Sequence, residues 1–79
     1  MSNNKLFADV ILPLPLNQLF TFSIPVELAH EIEKGKRVIV QFGARKIYTA
    51  IVFRIHAVKP ENFEIKEILS VIDQQPVVN

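Results

Sequence analysis

The stretch Arg37–Val58, RVIVQFGARKIYTAIVFRIHAV, decides the fold. Val38, Val40 and Phe42 share one parity and Arg37, Ile39 and Gln41 the other, which is the period-2 signal of a strand. Gly43, Ala44, Arg45 and Lys46 form a short polar break containing glycine, the one residue that tolerates a positive φ at no steric cost. In the longer run that follows, Ile47, Thr49, Ile51, Phe53 and Ile55 alternate with Lys46, Tyr48, Ala50, Val52, Arg54 and His56. One face is therefore apolar. The other carries two basic side chains, a tyrosine and a histidine. β-branched residues dominate, as a half-buried pleated surface favours. The stretch reads as a central β-hairpin.

Upstream, Leu6–Leu12 is an apolar run with one acid, Asp9, and reads as a strand. Pro13 and Pro15 cannot donate to a ladder, so Pro13–Gln18 reads as an extended surface segment. Leu19–Ile24 resumes a strand, with Phe20, Phe22 and Ile24 on one face. Pro25 is suited to open a short helix. Val26, Leu28, Ala29 and Ile32 would form its apolar stripe, and Gly35 would end it in the left-handed conformation. Downstream, Lys59–Asn62 reads as a loop and Ile68–Ile72 as a last strand. The expectation is five strands and one short helix. That is a mainly β domain with a small curled sheet or OB-like barrel, with an α+β arrangement as the alternative.

At 79 residues the chain is one domain, 1–79, with residues 1–5 expected to be a flexible N-terminus. It has no cysteine, so neither a disulfide nor a thiolate metal site is available, and its 49% hydrophobic content must supply the core. Val10–Leu12 is too short an apolar run for a signal peptide or a membrane span, which points to a cytoplasmic protein with no membrane partner. The apolar end Pro76-Val77-Val78-Asn79 suggests a piece cut from a longer chain. Net charge is only +1, but Lys34, Lys36, Arg37, Arg45, Lys46, Arg54 and Lys59 lie in a window free of acids. Such a window is either a footprint for a polyanion or an ordinary solvated face.

No catalytic constellation is visible. His30 and His56 lack a second histidine or a carboxylate at ligand spacing, there is no G-x-S-x-G elbow, and the two glycines are isolated. The chain reads as a binding or structural module and not an enzyme. A positive groove with aromatic platforms would suit single-stranded nucleic acid. Phe20, Phe22, Phe42, Tyr48, Phe53 and Phe63 are the aromatic candidates.

The string Val10-Ile11-Leu12-Pro13-Leu14-Pro15-Leu16, then Phe20-Thr21-Phe22 and Ile24-Pro25, resembles the start of a known family. The likeness continues through Lys34–Gly43 and Ala50-Ile51-Val52 and ends with Lys66–Asp73 and Pro76. The family is the N-terminal 3′ DNA-binding domain of the bacterial primosomal replication-restart helicases, primosomal protein N′. The resemblance implies a β-rich, OB-like domain that binds the 3′ end of the nascent leading strand at a stalled fork. It implies a pocket for the terminal nucleotide at Phe20, Thr21, Gly43 and Lys66. Arg37, Arg45, Lys46 and Arg54 are then candidate DNA backbone contacts. At position 21 the family pattern has an acid that accepts a hydrogen bond from the 3′-hydroxyl. A threonine there implies weaker discrimination against a 3′-phosphate. The parent would be an ATP-dependent 3′-to-5′ DNA helicase meeting other primosome proteins, with its ATP, Mg and Zn sites in parts not present in this chain. Two other readings stay open: a small β-barrel protein-interaction module, and a single-strand nucleic-acid binder without end preference.

Overall fold

The computed structural model describes residues 5–61 and 65–72. It contains five strands: β1 (Phe7–Ile11), β2 (Phe20–Ser23), β3 (Arg37–Phe42), β4 (Lys46–His56) and β5 (Ser70–Ile72). Their order in the sheet is β2-β1-β4-β3-β5, and every neighbouring pair is antiparallel. The sequence-based expectations for residues 1–4, Asn62, Phe63 and the segment from Asp73 onward fall outside the described residues.

The sheet curls but does not close. Its concave side holds Ala8, Val10, Phe22, Val38, Val40, Ala50 and Val52, joined by Ile24, Ile32 and Ile68 from the connections. The fully buried Ala8 and Ala50 leave room for larger neighbours on a concave surface. Across the open side runs the segment that leads into β5. The Ser23 N–H donates to the Lys66 carbonyl (2.9 Å), the Ile68 N–H to the Ser23 carbonyl (3.0 Å) and the Leu69 N–H to the Ile39 carbonyl (2.8 Å). This one-residue parallel bridge, Ser23 to Glu67, ties the β2 edge to β3. Among the described residues it is the link across the open side, so of the expected curled sheet or OB-like barrel the fold is the curled sheet.

The hairpin β3–β4 forms where the sequence placed it, but with its second strand facing the other way. Phe42 pairs with Lys46, Val40 with Tyr48 and Val38 with Ala50. Ala50 and Val52 therefore share the core with Val38 and Val40, while Ile47, Ile51 and Phe53 are 59%, 45% and 44% exposed. The alternation then breaks. Val10 pairs with Val52 but Asp9 with Arg54, so Phe53 is an extra residue, a β-bulge. Beyond it Ile55 packs on the core, and Arg54 and His56 sit on the outer face beside Asp9. Tyr48 and His56, read from the sequence as sharing a face, lie on opposite ones.

The expected helix reduces to a 3₁₀ turn, Val26–Leu28. Pro25 precedes it in an extended conformation (φ −61°, ψ 145°) instead of occupying the first helical position. Of the expected stripe only Ile32 is buried; Leu28 is half-buried, and Val26 is 87% exposed. A short isolated helix is costly to nucleate. Here the chain is also pulled back early: the Gly35 N–H bonds to the Val52 carbonyl (2.8 Å), and the Val52 N–H to the Lys36 carbonyl (2.9 Å). Gly35 does take the expected positive φ, +91°.

Candidate nucleic-acid interface

At the open edge lies a cleft of about 440 Å³, lined by Gln18, Leu19, Phe20, Thr21, Phe22, Gln41, Phe42, Gly43, Ile65 and Lys66. Its volume falls in the ~300–1,000 Å³ range of small-ligand sites, which suits one nucleotide. The four residues singled out at the sequence level, Phe20, Thr21, Gly43 and Lys66, all line it. They come from β2, the β3–β4 turn and the bridging segment before β5. The side chain of Lys66 spans the gap, its Nζ donating to the Gly43 carbonyl at 3.3 Å.

Phe20 is half-buried and meets Phe42 edge-on, with centroids 4.7 Å apart. Phe42 in turn contacts Tyr48 at 6.4 Å. The aromatic row is partly core and partly cleft wall, so part of the Phe20 ring remains available to a ligand. Gly43 has φ +84°, and a Cβ built there meets no atom within 4 Å. The positive φ is what requires glycine, and the absent side chain leaves the turn backbone open to close approach.

Of the four candidate backbone contacts, Arg45 and Lys46 are exposed in and beside the turn that carries Gly43. Arg37 is exposed on the outer face, opposite Ile51 and Ile72. Arg54 is engaged elsewhere: its Nε donates to Asp9 Oδ2 at 2.7 Å, so its charge is offset.

Asp9 is the residue that sequence reasoning missed. It is 4% exposed in the middle of β1. Besides Arg54 it accepts from Thr21 Oγ1 (2.6 Å) and His56 Nε2 (3.0 Å). The Val58 N–H donates to His56 Nδ1 at 3.2 Å, which leaves Nε2 to carry the proton toward Asp9. His56 thus has the carboxylate partner its sequence neighbourhood lacks, from 47 positions away. Burial alone would raise the Asp9 carboxyl. The hydrogen bonds from Thr21, Arg54 and His56 outweigh burial and hold it below its ordinary value. A depressed folded-state value stabilises the fold above the unfolded carboxylate range, near pH 4. That contribution is lost as pH falls through the folded value. In urea melts at pH 6 and pH 3, Asp9→Asn is expected to show a smaller acid-induced loss of stability than the wild type; an equal loss would contradict this role. His30 is exposed, 4.0 Å from Glu31. Among the described residues no group of three His, Cys, Asp or Glu side chains could hold a metal ion, and no helix is long and apolar enough to cross a membrane.

A curled antiparallel sheet with a nucleotide-sized cleft at its open edge defines a small β-type binding module. A family model described as the 3′ DNA-binding domain (3′BD) of PriA matches residues 9–79. The chain belongs to this PriA 3′ DNA-binding domain family, and DNA is its partner. As a DNA-binding domain it is not itself an enzyme. No curated protein sequence matches the chain.

Proposed function

We propose that this domain takes the 3′ end of the nascent leading strand at a stalled or abandoned fork and so positions a replication-restart helicase for primosome assembly. The observation that carries the reading is the convergence of Phe20, Thr21, Gly43 and Lys66 on one cleft from three separate parts of the chain. In this reading Phe20 offers an apolar face to the terminal base, and Gly43 lets the sugar approach the backbone. Thr21 meets the 3′-hydroxyl. Lys66 contacts a phosphate or base oxygen, and Arg45 and Lys46 follow the strand outward, with weaker help from Arg37 and Arg54. The parent protein, a cytoplasmic ATP-dependent helicase, would carry its ATP, Mg and Zn sites elsewhere in its chain and meet other primosome proteins there.

Lys66→Ala is expected to weaken binding of a short single strand about tenfold, in keeping with a hydrogen bond to a charged group. It should also flatten the slope of log affinity against log salt by about 0.7, the value for one lost phosphate contact on a single strand. Fluorescence anisotropy across a salt series reads both quantities. Unchanged affinity and slope would remove Lys66 from the site. One observation favours the second reading, a protein-interaction module: the exposed outer row of Ile11, Ile47, Ile51 and Phe53. Binding that is insensitive to salt would favour it over the first.

A further inference from the structure

Asp9 does not line the cleft, yet it touches the cleft wall through Thr21. The two are direct cross-strand partners on β1 and β2. Thr21 lines both the nucleotide-sized cleft and a second hollow, on the outer face, that holds Asp9, Arg54 and His56. Its hydroxyl donates to Asp9 Oδ1 at 2.6 Å. A hydroxyl has one proton and two lone pairs. An ionised carboxylate has no proton to return, so the direction of this bond is fixed. Arg54 on Oδ2 and His56 on Oδ1 hold the carboxylate in place from the other side. With its proton committed, Thr21 meets anything in the cleft as an acceptor only. The anion behind it polarises the hydroxyl and makes it a better acceptor than an isolated threonine.

We propose that Asp9 is a positioning residue that turns Thr21 into an acceptor-only reader of hydrogen-bond donors at the strand end. The inference rests on the end-binding reading above. A free 3′-hydroxyl supplies the donor; a 3′-hydrogen supplies none, and a 3′-phosphate brings negative charge toward Asp9. The carboxylate expected at position 21 is thus supplied from position 9, one cross-strand step behind it. The discrimination that threonine alone would weaken is retained through that partner.

The test compares anisotropy affinities for oligonucleotides ending in a 3′-hydroxyl and in a 2′,3′-dideoxy sugar. The wild type is expected to prefer the hydroxyl about fivefold, the scale of one net hydrogen bond. Asp9→Ala, which frees the Thr21 proton, should reduce that preference below about twofold while leaving affinity for the dideoxy end unchanged. Thr21→Val should likewise reduce the preference below about twofold, Thr21→Ser should retain the preference, and the double variant Asp9→Ala/Thr21→Val should lose no more of it than either single variant. A merely structural Asp9 would weaken both ends equally, and that result would overturn the inference. If Asp9→Ala does not fold, the Thr21 pair decides: full preference in Thr21→Val overturns it. A wild type that binds free and bulkily blocked 3′ ends alike would instead remove the end-binding reading itself.

Discussion

Val52→Glu is expected to leave the domain unfolded at room temperature, while Ile51→Glu, one residue away, changes its stability by less than about 1 kcal/mol. Val52 is 1% exposed and packs among Val10, Val38 and Val40. A carboxylate there has no partner and no water. The cost of burying an unpaired charge exceeds about 4 kcal/mol, against a total of only ~5–15 kcal/mol for most domains and less for small ones. Ile51 is 45% exposed on the outer face and stands opposite Arg37. A glutamate at that point gains an opposite-charge cross-strand pair, worth about 0.2–1 kcal/mol. Circular-dichroism melts of the two variants read the result. The reverse order of stabilities would mean that β4 presents its other face to the core.

The second large effect concerns DNA. Phe20→Leu keeps an apolar side chain on β2 but removes the ring from the cleft. Base stacking on an aromatic contributes about 1–3 kcal/mol, so affinity for a single-stranded 3′ end should fall about 5- to 150-fold. The lost edge-on contact with Phe42 should cost the fold no more than about 1.5 kcal/mol, leaving the variant folded at the assay temperature. Anisotropy on a sample verified by its melting curve separates the two effects. An unchanged Kd would assign Phe20 to the core alone.

These predictions turn on features that were unequally legible in the sequence. The strands announced themselves through alternation and β-branched content, and the prolines at 13 and 15 and the positive-φ glycines at 35 and 43 marked the breaks. The inward face of β4 was misleading for a physical reason. Ile47, Ile51 and Phe53 outweigh Tyr48, Ala50 and Val52 in apolar bulk, so the pattern points the larger side chains inward. Hairpin arithmetic carried the better signal. A three-residue turn that pairs Phe42 with Lys46 forces Val38 opposite Ala50, and the parity of the strong β3 face then settles that of β4. The bulge at Phe53 left no local mark, because it follows from the pairing with β1. The helix was overestimated because capping signals at Pro25 and Gly35 say where a helix could start and stop, not whether its stripe finds a core.

The cleft and the cluster behind it divide in the same way. Phe20, Thr21, Gly43 and Lys66 were legible only through the family resemblance; nothing in their spacing gathers them. Asp9, Arg54 and His56 meet across 45 and 47 positions, on strands whose register the sequence did not reveal. One hint was present: an acid in the middle of an otherwise apolar strand. A buried carboxylate of this kind requires partners, and the hydrogen-bonding side chains on the two flanking strands supply them.

The most direct test of the account is fluorescence anisotropy with short single-stranded oligonucleotides at low salt. It compares a free 3′-hydroxyl with a 3′ end blocked by a bulky group. The account predicts clearly tighter binding of the free end, because only an unblocked terminus can enter a cleft of about 440 Å³ between β2 and the Gly43 turn. Equal affinity for the two would contradict it, and would mean that the basic hairpin holds DNA along its backbone without reading where the strand stops.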